Sequence, residues 1–176
     1  EHLNERIRVE DVAKAAGVPS LFMVNKKGET RPMVDFTGKF WNIDELDEKN
    51  VCITILGDKD GLPEKQCEAL KEAEKRTEKN TGLRLCIAIN YGSRAELVRA
   101  AQLLAQDVQS GLLKPEEITD ELFAKKLYTE GVPDVDLMIR TSGEMRLSNF
   151  LLWQCSYAEF VFPTVLWPDF DLKHYH

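Results

Sequence analysis

At 176 residues the chain fits one domain, large enough to bury a substantial core without disulfides or a structural metal, so a single domain over residues 1–176 is expected. Its 43% hydrophobic and 30% charged residues are those of a globular soluble protein, and no apolar run approaches the roughly 20 residues that span a bilayer. The net charge of −7 argues against nonspecific nucleic-acid binding, which needs a broad basic face; an anionic ligand must be held by a local basic cluster.

The opening Glu1-His2-Leu3-Asn4-Glu5-Arg6 has neither the basic start nor the apolar core of a signal peptide, and a cytoplasmic location is expected. Ile7, Val9, Val12, Ala13 and Ala16 form an apolar stripe that predicts a helix over 4–16, stopped by Gly17. Ser20 to Val24 reads as a short strand and the polar Asn25 to Pro32 as a loop, with Pro32 opening a helix toward Asn50 that Gly38 interrupts. Val51 to Leu56 is a buried strand ended by Gly57-Asp58, and Pro63 starts a charged helix that ends near Asn80-Thr81-Gly82.

Leu83 to Ile89 is another strand, feeding Asn90-Tyr91-Gly92-Ser93 and a helix whose apolar residues are Leu97, Val98, Ala101, Leu104, Ala105 and Val108. Gly111 closes that helix, and Thr119 followed by Asp120 and Glu121 starts the next, with acids in the first turn. Val135 to Ile139 is the last clear central strand. Strands alternating with helices of this length predict an α/β domain with a mainly parallel central sheet flanked by helices. Cys52, Cys67, Cys86 and Cys155 show no C-x-x-C pair, so buried thiols in a reducing compartment are expected. Only three histidines are present, which argues against a His/Cys metal centre.

In such sheets ligands bind beyond the carboxyl ends of the strands. Arg140-Thr141-Ser142-Gly143-Glu144-Met145-Arg146-Leu147-Ser148-Asn149 stands where that rule points. Two guanidinium groups can each grip phosphoryl oxygens in bidentate fashion, Thr141, Ser142 and Ser148 supply hydroxyls, and Gly143 allows close backbone approach. Ser148 is expected to cap a helix over Asn149 to Gln154, adding free amides to the same anion hole. The competing reading pairs Arg140 and Arg146 with Asp134, Asp136 or Glu144 on a solvated surface. Trp153 is read as packing, and a nucleotide-binding α/β domain is disfavoured because no Walker loop or G-x-G-x-x-G follows any strand.

The run from Asp136 to Gln154, continued by Tyr157-Ala158-Glu159 and Leu166-Trp167-Pro168-Asp169-Phe170, resembles the signature of cis-prenyltransferases, the undecaprenyl-diphosphate synthase type of enzyme. Asn80-Thr81-Gly82-Leu83, Asn90-Tyr91-Gly92-Ser93-Arg94 and Val51 to Asp58 are similar to the same family, so the resemblance covers roughly Asp44 to Phe170. It implies condensation of isopentenyl diphosphate with an allylic diphosphate such as farnesyl diphosphate, with magnesium and release of pyrophosphate, to give a cis-polyprenyl diphosphate for cell-wall or glycan synthesis. Carried over by motif, Arg140, Thr141, Arg146 and Ser148 would hold the diphosphate of isopentenyl diphosphate. Glu159 would organise the metal or that substrate, Arg31 and His2 would touch diphosphate, and Asn90 and Arg94 would support the site. A homodimer, with Trp167 to Phe170 and the preceding strand near the partner, and peripheral membrane contact through a long product are also implied.

Two features of the family pattern have no counterpart in these residues. The family's first strand ends in a loop of the type Met-Asp-Gly-Asn-x-Arg-Trp whose aspartate binds magnesium, and its C-terminus carries an Arg-x-Gly element; the sequence contains neither. Where the family has Ser-x-x-Asn-Trp-x-Arg-Pro, this chain has Asn25, Gly28 and Glu29 before Thr30-Arg31-Pro32. Three explanations stay open: a segment omitted from the sequence, a noncatalytic diphosphate-binding subunit that partners an active homologue, or altered substrate use.

Overall fold

The computed structural model of the chain describes residues 20–24 and 30–34, by their backbone, together with 43–166 and 170. The helix expected over 4–16, His2, and Trp167 to Asp169 lie outside the described residues. The elements run β1 (Ser20–Val24), β2 (Thr30–Val34), α1 (Ile43–Glu48), β3 (Cys52–Leu56), α2 (Glu64–Thr77), β4 (Arg84–Ala88), α3 (Ser93–Gln109), a 3-10 turn (Pro115–Glu117), α4 (Asp120–Ala124), β5 (Leu137–Ile139) and β6 (Glu159–Val161). Four strands form one sheet in the order β1-β2-β4-β3, and β5 and β6 pair separately, with β5 lying beside β1. The β2–β4, β3–β4 and β5–β6 pairs are parallel and β1–β2 is antiparallel, so the fold is α/β with a mainly parallel sheet.

One expectation fails early. Pro32 opens no helix: it lies within β2, opposite Phe22, and the helix described before Asn50 is Ile43–Glu48. Proline is compatible with a strand when its missing N–H is not required by the ladder, and local helix-start preference yields there to strand pairing.

The centre of the sheet follows from period-2 burial with both faces covered. Ile53, Ile55, Leu85 and Ile87 point to one side, where Leu46, Val51 and Ala73 join them in one cluster. Leu56 and Cys86 point to the other, where they meet Val135, Met138, Leu151 and Cys155. Thr77 fastens α2 to the sheet: its fully buried hydroxyl donates to the Ala73 carbonyl at 2.9 Å and accepts from the Ile53 amide at 3.0 Å.

Helix α3 buries a partly polar face. Its buried residues are Ser93, Glu96, Ala100 and Leu104, whereas Val98, Ala101 and Ala105 face outward. Apolar residues alone do not mark its inward face, because a buried glutamate and serine share it with Ala100 and Leu104.

Candidate diphosphate site

Three loops meet at the carboxyl edge of the sheet. Gly57, at φ +124° after β3, lies so close to the chain after β4 that a Cβ there would run into the Ile89 carbonyl oxygen; only glycine allows this approach. Asn90 then ties the two loops together: its amide nitrogen donates to the Asp58 carbonyl at 2.9 Å, and its own carbonyl accepts from the Asp58 amide at 3.3 Å. The loop after β5 joins through Asn149, whose carbonyl accepts from the Ser93 amide at 2.8 Å.

Within the loop after β5, Arg140 is positioned first. Its amide donates to the Val161 carbonyl at 3.0 Å, continuing the β5–β6 ladder. Its guanidinium Nη1 donates to the Arg146 carbonyl at 2.6 Å and to Ser148 Oγ at 2.9 Å. The Arg140 side chain is thereby held back across its own loop, only 25% exposed. Arg146, at 64% exposed, forms an ion pair with Glu144, and Arg140 Nη2 lies 4.0 Å from the same carboxylate. Glu144 thus stands between the two guanidinium groups, as the surface-pair reading expected for Arg146. Such a pair contributes little net stability, about 0–1 kcal/mol, and a multiply charged anion offers the two cations more bonds than one carboxylate does.

The turn at Ser142 (φ 68°) and Gly143 (φ 66°) corrects one expected role. The Ser142 amide donates to the Val165 carbonyl and the Gly143 amide to that of Pro163, each at 2.9 Å. Gly143 serves the left-handed turn, and these amides are engaged by the backbone. Ser148 caps no helix either: the segment over Asn149 to Gln154 is a series of turns, and Ser148, Asn149 and Leu151 all have positive φ (49°, 64° and 46°), which a right-handed helix forbids. Trp153 packs against Phe123 at 4.8 Å between ring centroids, as expected of a core residue.

A polar network missed by the sequence reading underlies this loop. Glu96 is fully buried. One carboxylate oxygen accepts from the Tyr128 amide at 2.8 Å, and the other accepts from Tyr91 Oη at 2.5 Å and Gln154 Nε2 at 3.2 Å. Gln154 also donates to Thr129 Oγ1 at 2.9 Å. Burial first, then the hydrogen bond to Glu96, pushes the Tyr91 phenol far above its usual range, so it remains a donor. A buried carboxylate satisfied by three donors is a costly feature that fastens parts of a structure together; here it joins α3 to the segment ending in Gln154. A glutamate three positions after the first residue of a helix carried no sequence signal of burial.

The remaining candidates are spread out. Thr141 adjoins Arg140 and is half-buried, and Arg94 is exposed in the first turn of α3. Arg31 is opposite Met23 in the β1–β2 ladder. Glu159 pairs with Leu137 at the beginning of β6, whereas Arg140 is level with the end of that strand, so roughly 7–10 Å of strand separates them. Among the described residues no group of three or more His, Cys, Asp and Glu side chains could hold a metal ion.

Comparison with known proteins agrees over most of the chain. Residues 24–176 match the prenyltransferase family model described as undecaprenyl diphosphate synthase. An isoprenyl transferase of Streptococcus thermophilus is 49% identical over 147 residues, which is 81% of this chain and 58% of the relative. The (2E,6E)-farnesyl-diphosphate specific ditrans,polycis-undecaprenyl-diphosphate synthase of Micrococcus luteus is 47% identical over 82% of this chain and 59% of its own length. Among solved structures, lavandulyl diphosphate synthase from Lavandula x intermedia, in complex with dimethylallyl diphosphate, superposes with a TM-score of 0.70 at 36% identity, covering 76% of this chain and 58% of that one. The chain spans less than two thirds of the length of each of these three proteins.

Proposed function

We propose, from the premise that the chain belongs to the undecaprenyl diphosphate synthase family of prenyltransferases, that it forms the isopentenyl diphosphate half of a cis-prenyltransferase site. The protein would condense isopentenyl diphosphate with an allylic diphosphate, farnesyl diphosphate by analogy with the Micrococcus luteus relative, to give a cis-polyprenyl diphosphate that serves as lipid carrier in cell-wall or glycan synthesis. The observation that carries this reading is the convergence of Arg140, Arg146 and Ser148, with Arg140 Nη1 held by the Arg146 carbonyl and Ser148 Oγ.

In the proposed reaction Arg140, Arg146, Thr141 and Ser148 bind the diphosphate of isopentenyl diphosphate. A held diphosphate orients the homoallylic alkene for attack on the allylic carbon. The allylic C–O bond breaks to release pyrophosphate, a C–C bond forms, and a proton leaves the alkylated unit. Arg31 and His2 are assigned to diphosphate contact, and Asn90 and Arg94 support the loops. Glu159 is assigned to metal or substrate organisation.

Magnesium belongs to the proposal as a requirement of the whole protein. The described residues do not themselves compose a cation site, since they contain no such cluster of ligands and Glu159 lies at the far end of β6 from Arg140. No step above passes through the metal. A homodimeric assembly and peripheral membrane contact through the long product are likewise proposed. No helix among the described residues is long and apolar enough to cross a membrane.

The test is an assay of the complete protein with labelled isopentenyl diphosphate and farnesyl diphosphate plus magnesium, products being sized by chromatography. Chain extension with release of pyrophosphate is expected. Pyrophosphate binding without extension of any allylic diphosphate would replace this reading with that of a noncatalytic subunit, and failure to bind pyrophosphate would reject the site itself.

A further inference from the structure

We infer that Asn149 is a positioning residue for the anion site: by capping α3 it locks the left-handed turn that aims Ser148 at Arg140. The inference rests on the reading of Arg140, Arg146 and Ser148 as a diphosphate grip.

The first amides of a helix have no partner within it and are normally served by the side chain of the residue just before it. That residue in α3 is Gly92, which has no side chain to offer. Its work is done from far along the chain: Asn149 Oδ1 accepts from the Arg94 amide, 55 positions away, at 2.8 Å, and the Asn149 carbonyl accepts from the Ser93 amide at 2.8 Å. A third bond runs the other way, from the Leu152 amide to Ser93 Oγ at 3.0 Å. Asn149 sits so close that a Cβ on Gly92 would lie 2.9 Å from its amide nitrogen, so glycine at 92 admits the cap.

The lock has a conformational consequence. Ser148, Asn149 and Leu151 hold φ values of 49°, 64° and 46°, a region costly for residues other than glycine that persists only where the surroundings over-determine it. Asparagine tolerates it best of the three. Ser148 is directly bonded to Asn149 in the chain, and its hydroxyl receives Arg140 Nη1 at 2.9 Å. Releasing Asn149 therefore frees the Ser148 backbone and with it one of the two anchors of the Arg140 guanidinium.

The experiment uses the complete protein, inorganic pyrophosphate titrated by calorimetry, and steady-state kinetics with isopentenyl diphosphate. Asn149→Gly keeps the left-handed backbone accessible and removes the cap. It is expected to weaken pyrophosphate binding and raise KM for isopentenyl diphosphate about tenfold, with a much smaller change in kcat, a shift of the size that loss of one cap produces. Thr119→Ala removes a comparable cap on α4, where Thr119 Oγ1 accepts from the Leu122 amide at 3.3 Å, and should leave that affinity unchanged. If Asn149 acts through Arg140, its effect largely disappears in an Arg140→Ala background. Ser93→Ala cuts the lock from the helix side, should weaken affinity a few-fold in the same direction, and carries the test if Asn149→Gly does not fold. Unchanged affinity in both lock variants, or full additivity with Arg140→Ala, overturns the inference while leaving the site standing. Unchanged affinity in Arg140→Ala alone rejects the site and the inference with it.

Discussion

The β3–α2–β4 region and the loop after β5 are built on opposite terms. In the first, regular elements alternate buried faces, and Ile53, Ile55, Leu85 and Ile87 lie in one apolar cluster. In the second, from Arg140 to Gln154, regular structure is absent, four non-glycine residues have positive φ, and the chain is held by hydrogen bonds that cross to Ser93, Arg94 and Glu96. Burial tolerates small displacements, whereas directional bonds fix particular atoms. A stable frame thus carries a loop that buries Leu151 in the frame's second apolar cluster but takes the positions of its polar atoms from directional bonds.

Deep truncation of the frame should have the largest effect. Leu85→Ala removes a fully buried side chain and is expected to cost roughly 2–5 kcal/mol in denaturant unfolding, with little change in pyrophosphate affinity while the protein remains folded. A parallel loss of affinity would mean that frame and loop are not separable. Arg140→Ala should behave inversely: pyrophosphate affinity falls about 100-fold, as for loss of a charge-assisted pair of contacts, while stability changes by about 1 kcal/mol. A large drop in melting temperature with intact binding would make Arg140 a structural residue.

Smaller effects sharpen the contrast within the frame. Thr77→Val keeps the shape of the side chain but leaves the Ile53 amide without its acceptor, so unfolding should lose about 1–3 kcal/mol; no loss would show that the hydroxyl is dispensable.

The smallest expected effect is on the acid limb of stability. A hydrogen bond from Asn80, then one from Arg76, holds the Asp47 carboxyl below its usual value. Because the folded-state value is depressed, this contribution is full above the unfolded carboxylate range, near about 4, and fades as pH falls through the folded value. Asp47→Asn should lower stability slightly near neutrality, where that contribution is full, and flatten the profile through the acidic window, which chemical denaturation at several pH values would check.

Much of the frame was legible in the sequence because its signals are local. The apolar runs around Ile53 and Ile87, the start at Pro63, and Thr119 as a cap each depend on a few neighbouring residues; α2, β3 and β4 formed close to their predicted limits and α4 at its predicted start. The contact of Arg140 with Ser148 was legible for a related reason, since they are eight positions apart. Readings failed where a distant partner outweighs a local preference. Pro32 signals a helix start, yet pairing with β1 and β4 places it in a strand. Asn149 to Gln154 has the composition of a helix, yet bonds to the start of α3 hold it in turns.

The sequence by itself determined the alternation of strands and helices, the apolar faces of β3 and β4, and the concentration of cationic and hydroxyl groups after β5, because each follows from periodicity or short spacing. Only the tertiary structure decided that Glu96 is buried and that Gly92 relies on Asn149. These last depend on hydrogen bonds and charges brought together across as many as 58 positions, as between Glu96 and Gln154, and no local propensity encodes a partner so far along the chain.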